Sequence, residues 1–332
     1  MRKRYSTLLF LFLTLSPFSF SQTEKVNFLK IDFYAKSVKG INDIGKLSHK
    51  LTSPYDTDLK KTRSIFRWIT ENIAYDTQEY HADSAHSVHY QIFNKISDDV
   101  KNKDEEFNYQ LIQYILKNKK AICEGYSILF KALCDSANIK AEVIVGKSKN
   151  SISKVGVPSK EDHAWNAVYI DDKWALLDVT WASGGCNDST TKFSKKFNES
   201  YFLTAPTKFI INHYPTDKKW FLIPNPPTEN QFYSYPLVYS GYFKNNISSF
   251  SPTNGIIEGK IGNKITFEIK TPDEGSSITV QTAKGNNGVM MKRQEKIITY
   301  EYTVSSDKDD ELTIYLNREA VFAYRIIVVP EK

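Results

Sequence analysis

The sequence predicts an α+β fold in two parts, a mixed helix-and-sheet domain followed by an all-β sandwich. Three observations predict it. Residues 57–74, 104–119 and 123–137 repeat apolar or small side chains at helical spacing. Residues 140–147 and 163–181 are rich in Val, Trp, Tyr, Leu and Thr and read as strands. Beyond Pro224, Pro226, Pro227 and Pro236 the helical period vanishes, and short β runs alternate with turn signals.

Taken in order, residues 1–21 read as a signal peptide. Arg2, Lys3 and Arg4 precede an apolar run from Leu8 to Leu15, with small residues at Ser19 and Ser21 and cleavage expected near Ser21–Gln22. The run is too short to span a bilayer, so a secreted or periplasmic protein without a membrane anchor is expected. Residues 22–223 form the first domain. Its helix at 57–74 places Ile65, Phe66, Ile69 and Ile73 on one face, with Asp56, Thr57 or Asp58 as N-cap. Residues 76–100 are polar and irregular. They hold His81, His86 and His89, but no partner carboxylate or Cys pattern makes a metal site of them. Residues 148–162 form a loop leading to His163.

Residues 224–236 read as a Pro-rich linker, and a chain ending near Asn225 is expected to fold alone. Residues 237–332 carry KITFEIKT, SSITVQTA, KIITYEYTV, ELTIYLN and VFAYRIIVV, separated by turn signals such as Pro272-Asp273 and Gly285-Asn286. That spacing predicts an immunoglobulin-like sandwich.

The formal net charge of +6 falls to +3 without Arg2, Lys3 and Arg4, and no basic stripe with interleaved aromatics points to nucleic acid. Of three cysteines, Cys123 and Cys134 lie eleven residues apart on one helix, about 16 Å of rise and too far to bridge. Cys134 is either a disulfide partner of Cys186 or an ordinary core residue.

Cys123 opens the third helical stretch, whose buried stripe is Tyr126, Ser127, Phe130, Leu133, Cys134 and Ala137. The positive end of the helix dipole favours its thiolate. His163 follows in DHAWNAVYI and Asp178 in KWALLDVTW. Cys, His and Asp are the parts of a thiol acyl-transfer site: nucleophile, general base and acid, and the carboxylate that fixes the imidazole tautomer. A two-residue turn at Asp171-Asp172 sets Trp165 opposite Asp178 and His163 opposite Thr180, leaving His163 and Asp178 diagonal neighbours on one face. A three-residue turn would put them on opposite faces. Backbone N–H groups at the helix start could serve a developing oxyanion; for a second donor, Trp68, Tyr75 and Tyr126 stand open.

KAICEGYS, LFKALCDSANIKAEVIVGKSK, HAWNAV and WALLDVTW, in that order, resemble the transglutaminase-like superfamily, and so does LKKTRSIFRWITENIAYD upstream. YFLTAPTKFIINHYPTDKKWFLIP resembles the branch named for the kyphoscoliosis peptidase, with its His-x-Pro and Trp-Phe-Leu elements. The resemblance covers roughly residues 40–230. It implies a papain-like transglutaminase-like domain with Cys123, His163 and Asp178 as catalytic triad, and no cofactor or metal. Ala121 departs from the Gly that such domains often carry two residues before the Cys. The expected activity is hydrolysis of protein or peptide amides through a thioester. The alternatives are a cross-linking transglutaminase, or a non-catalytic scaffold or adhesion protein that keeps the triad.

Overall fold

The computed structural model describes residues 27–330, apart from 188, 273–274, 276, 283–284, 288–290, 306–307 and 309. The signal-peptide reading lies outside the described residues. The first part packs helix Cys123–Ser136 against a four-stranded antiparallel sheet, with helices Asp58–Asn72 and Lys103–Asn118 packed on that helix. The sheet runs Lys173–Leu177, His163–Ile170, Ala141–Ser148, His213–Pro215. Helix starts follow ordinary capping chemistry: Thr57 accepts from Lys60 N and Asn102 from Glu105 N. Residues 76–100 hold two short helices, Thr77–His81 and Val88–Phe93.

Arg63 ties the helix Leu29–Ser37 to the rest. Its guanidinium, buried in the core, meets the Asp32 carboxylate through Nε and Nη2 at 2.6 and 2.7 Å. It also meets Glu199 through Nη1 and Nη2, both at 2.6 Å. The Phe28 and Phe202 rings flank the guanidinium at 4.7 and 4.8 Å.

The hairpin register is Ile170↔Lys173 through Asn166↔Leu177, around a two-residue turn in which Asp171 and Asp172 have φ of 50° and 59°. Both values suit a type I′ turn. The second strand is shorter than its sequence suggests. It stops at Leu177, and Val179–Ser183 form a short helix because Asp178 caps it, Oδ1 accepting from Trp181 N at 2.9 Å. Asn166 fastens this sheet to the Cys123 helix, its amide donating to Ser127 O at 3.0 Å and Glu142 O at 3.1 Å.

Gly146 pairs with His163 on one side and Pro215 on the other. A Cβ there would lie 2.6 Å from Trp165 Cη2 and 2.9 Å from Pro215 Cα, with the Tyr214 carbonyl closer still. Two of these obstacles are backbone and cannot swing away. Gly146→Ala is therefore expected to destabilise the protein by about 1–3 kcal/mol and to slow Cys123 alkylation by displacing the His163 strand. Chemical denaturation alongside iodoacetamide labelling checks both.

The C-terminal part is a sandwich of two sheets. One contains Ser249–Ser251, Lys264–Lys270, Ile297–Thr303 and Met291–Gln294. The other contains Ile256–Gly259, Glu319–Val328, Asp310–Leu316, Ile278–Thr282 and Gly285–Asn287, with Leu237–Val238 added alongside Glu319–Val328. Alternating inward residues such as Phe267, Ile269, Tyr300, Leu312, Ile314, Phe322 and Tyr324 fill the space between. Gly285 and Asn286, read as a turn from sequence, belong to a strand.

Residues 224–236 are packed. Glu229–Ser234 is a helix with a complete Thr228–Gln231 capping box, and Phe232 and Tyr233 are buried with Tyr214 and Phe221. Lys149, wholly buried, donates through Nζ to the carbonyls of Phe232 at 2.8 Å and Tyr235 at 2.9 Å. Burial pushes its pKa down to about 7. The Asn212 amide donates to Val238 O at 2.6 Å and accepts from Val238 N. Arg325 Nη1 donates to Val155 O at 3.1 Å. Prolines at the start of this segment mark a turn, but the aromatics that follow bury themselves against Ile210, Tyr214 and Phe221 of the first part.

Candidate active site

Cys123 begins its helix after Ile122, whose side chain supplies no cap. The first turn's backbone N–H groups are thus left for other acceptors. Tyr126, Ser127, Phe130, Leu133 and Cys134 are buried as the spacing predicts, whereas Ala137 is half-buried because it caps the helix end instead of lying within it. Gly125 permits the close packing beneath it: a Cβ there would meet Ile115 Cδ1 at 2.9 Å and the Ala121 methyl at 3.0 Å.

His163 and Asp178 meet as the register requires, Nε2 to Oδ2 at 2.7 Å, both buried. With Nε2 committed to Asp178, Nδ1 is the ring nitrogen left for a thiol, and Cys123 is among the groups that raise the His163 pKa. Trp181 stacks on the ring, centroids 5.1 Å apart at 25°. Burial alone would lower the His163 pKa, but the Asp178 carboxylate and the Cys123 thiol outweigh it and raise it to about 10. Asp178 is opposed by burial too, yet His163 and His213 hold its carboxyl well below the usual carboxylate range. Cys134 and Cys186 are free thiols, and burial pushes the pKa of each up. Cys134 is thus a core residue and makes no disulfide with Cys186.

These shifts set a pH dependence of stability. A raised His163 value stabilises fully below about pH 6.5 and ceases to do so as pH rises towards 10. A lowered Asp178 value stabilises above about pH 4 and is lost as pH falls through its folded value. The stability difference between wild type and His163→Phe is expected to be largest between about pH 4 and 6.5 and to shrink towards pH 10. Denaturant midpoints across that range measure it; a difference constant from pH 6.5 to 10 would show that the ring is not held charged.

Of the open second donors, Trp68 Nε1 is committed to Val38 O at 2.9 Å, and the Tyr126 hydroxyl donates to Ile73 O at 2.8 Å. Tyr75 differs. Its strand residue pairs with Ala121, two residues before the thiol. Burial first, then the charge of Cys123, pushes its phenol pKa up, keeping the hydroxyl a donor. His81, His86 and His89 face separate partners, Ser189 O, Asp83 and Glu124.

His213, within the quoted His-x-Pro element, also belongs to the site. Its Nε2 lies 3.0 Å from the same Asp178 Oδ2. His163, Asp178 and His213 could be read as a metal set. Their N···O separations of 2.7 and 3.0 Å are hydrogen-bond lengths, whereas ligands about 2.0–2.1 Å from a tetrahedral ion stand about 3.3 Å apart.

The sequence model of the transglutaminase-like superfamily matches residues 77–179, a span that contains Cys123, His163 and Asp178. This chain carries a transglutaminase-like domain. It is of the kyphoscoliosis peptidase-like branch. It is 30% identical to the human kyphoscoliosis peptidase over 85% of this chain and 40% of that protein. It is 28% identical to hillarin of Drosophila melanogaster over 67% of this chain and 26% of that protein. A LIM and transglutaminase domain protein of Caenorhabditis elegans is 26% identical over 84% of this chain and 39% of its own length. The chain thus spans two fifths or less of these relatives.

Proposed function

We propose that this transglutaminase-like chain is an exported thiol acyl-transfer enzyme that hydrolyses protein or peptide amides. The observation that carries the reading is the buried His163–Asp178 hydrogen bond, which leaves the other imidazole nitrogen free, together with Cys123 at an uncapped helix start and close enough to raise the His163 pKa. His163 takes the Cys123 proton, and the thiolate attacks the amide carbon. The backbone N–H groups around Cys123 and the Tyr75 hydroxyl receive the oxyanion. As the tetrahedral adduct collapses, His163 returns the proton to the leaving amine and a thioester remains. His163 then draws a proton from water, which attacks the thioester and frees the acid and the thiol. The word peptidase in the name of the human relative supports water as acceptor. Export rests on Arg2, Lys3, Arg4 and the apolar run after them. No described helix is long and apolar enough to cross a membrane.

The test offers envelope proteins and peptides with and without a fluorescent primary amine, to wild type and Cys123→Ala. New N-termini that require Cys123 support hydrolysis. Incorporation of the amine in their place means transamidation. Neither product, with Cys123 no more reactive than Cys186, means a scaffold.

A further inference from the structure

Asp178 binds more donors than a pairing with His163 needs. Oδ1 accepts from Trp181 N at 2.9 Å; Oδ2 accepts from His163 Nε2 at 2.7 Å and faces His213 Nε2 at 3.0 Å. An ionised carboxylate can only accept, so that second contact requires a proton on His213 Nε2. The His213 ring is held to this task. It stacks on Phe209 with centroids 3.9 Å apart at 21°, and the Trp181 ring lies 4.4 Å away. Its backbone is pinned as well: Ser148 pairs with His213, and neighbouring Asn212 is bound to Val238.

The titratable groups that face the ring are Asp178, His163 at 5.6 Å between centroids, and Tyr201 at 6.2 Å. Burial pushes the Tyr201 phenol up, so it stays neutral. Burial also pushes His213 below its ordinary value, against the pull of Asp178. A neutral ring has one N–H to place. On Nε2 it serves Asp178; on Nδ1 it would serve the Phe209 carbonyl 3.2 Å away and turn a lone pair towards the carboxylate.

We infer that His213 is a positioning residue: its Nε2–H fixes the rotation of the Asp178 carboxylate and draws charge from the oxygen that holds His163. The inference rests on the thiol-enzyme reading above. A carboxylate oxygen shared between two donors grips the His163 proton less tightly than one with a single donor. His163 can then return that proton to a leaving amine.

Cys123 alkylation by iodoacetamide from pH 5 to 11 tests this in wild type, His213→Phe and His213→Gln. Phe keeps the stack on Phe209 and donates nothing. The alkaline inflection, which reports loss of the His163 proton, is expected to move up by about 0.5–1 pH unit. Turnover of an amide substrate, whose leaving amine needs the His163 proton, is expected to fall by roughly 10- to 100-fold with KM little changed. Gln restores an amide donor and should recover most of both. A His213→Phe protein of lower thermal stability but unchanged inflection and turnover would make His213 merely structural and overturn the inference. Histidine ¹⁵N shifts of the wild-type protein decide the matter even where the variants do not fold: an Nε2–H ring is expected, and a bare Nε2 on His213 overturns it. If His163→Phe also leaves the alkylation profile unchanged, the thiol-enzyme reading itself has failed, and the inference falls with it.

Discussion

Asp178→Asn is expected to cost on the order of 10²–10⁴ in turnover while leaving the chain folded. Size does not explain the loss, because Asn is nearly isosteric. The carboxylate accepts on both oxygens: from Trp181 N at Oδ1, and from His163 and His213 at Oδ2. An amide offers one acceptor and one donor. With its nitrogen towards the imidazoles, His163 must move its proton to Nδ1, where it faces the thiol and cannot receive another. With its nitrogen towards Trp181, two N–H groups collide and the helix Val179–Ser183 loses its cap. Either way the negative charge that raises the His163 pKa is gone. The alkylation profile of Cys123 should lose its fast component at neutral pH, and turnover of an amide substrate should fall in parallel. Full activity in Asp178→Asn would sink the triad.

Ending the chain at Asn225 is expected to destroy both the fold and the reactivity of Cys123, contrary to what the proline-rich stretch suggests. Residues 209–214 explain why. Phe209 lies in the main core, Ile211 in the sandwich core, and Ile210 and Tyr214 in the cluster with Phe232 and Tyr233. Asn212 is bound to Val238, and His213 touches Asp178. Truncation strips Phe232 and Tyr233 from their cluster, the carbonyl partners from Lys149 and the Val238 backbone from Asn212. A buried aromatic removed outright costs about 3–5 kcal/mol, and a whole domain has only about 5–15 kcal/mol to lose. Thermal unfolding followed by circular dichroism, with labelling of Cys123, reads the result. A cooperative transition with rapid labelling would restore the independent-domain reading.

These two cases mark how far the sequence could be read. The approach of His163 to Asp178 was legible because a hairpin with a two-residue turn has only one register, and strand side chains alternate strictly. The buried face of the Cys123 helix was legible for the same reason, at a period of 3.6. The helix Val179–Ser183 was not, because Val-Thr-Trp favours a strand and only the Asp178 cap overrules it. His213 lies 35 residues beyond Asp178 on a three-residue strand with no period of its own. Its place depends on pairing with Ala141–Ser148, a non-local event. The packing of 229–238 was hidden in the same way: local prolines announce a turn, and nothing local announces which core the following aromatics enter.

The Asn212–Val238 clasp has a consequence for how such a chain can be inherited. Recombination that exchanges the sandwich for a foreign module must also supply a backbone edge for Asn212, or His213 loses its footing. A lesion at Val238, 60 residues downstream of Asp178 in the sequence, would then present as a chemical defect. Genetic screens for lost activity in this protein should therefore recover alleles in its far C-terminal half, and suppressors of them near Asn212.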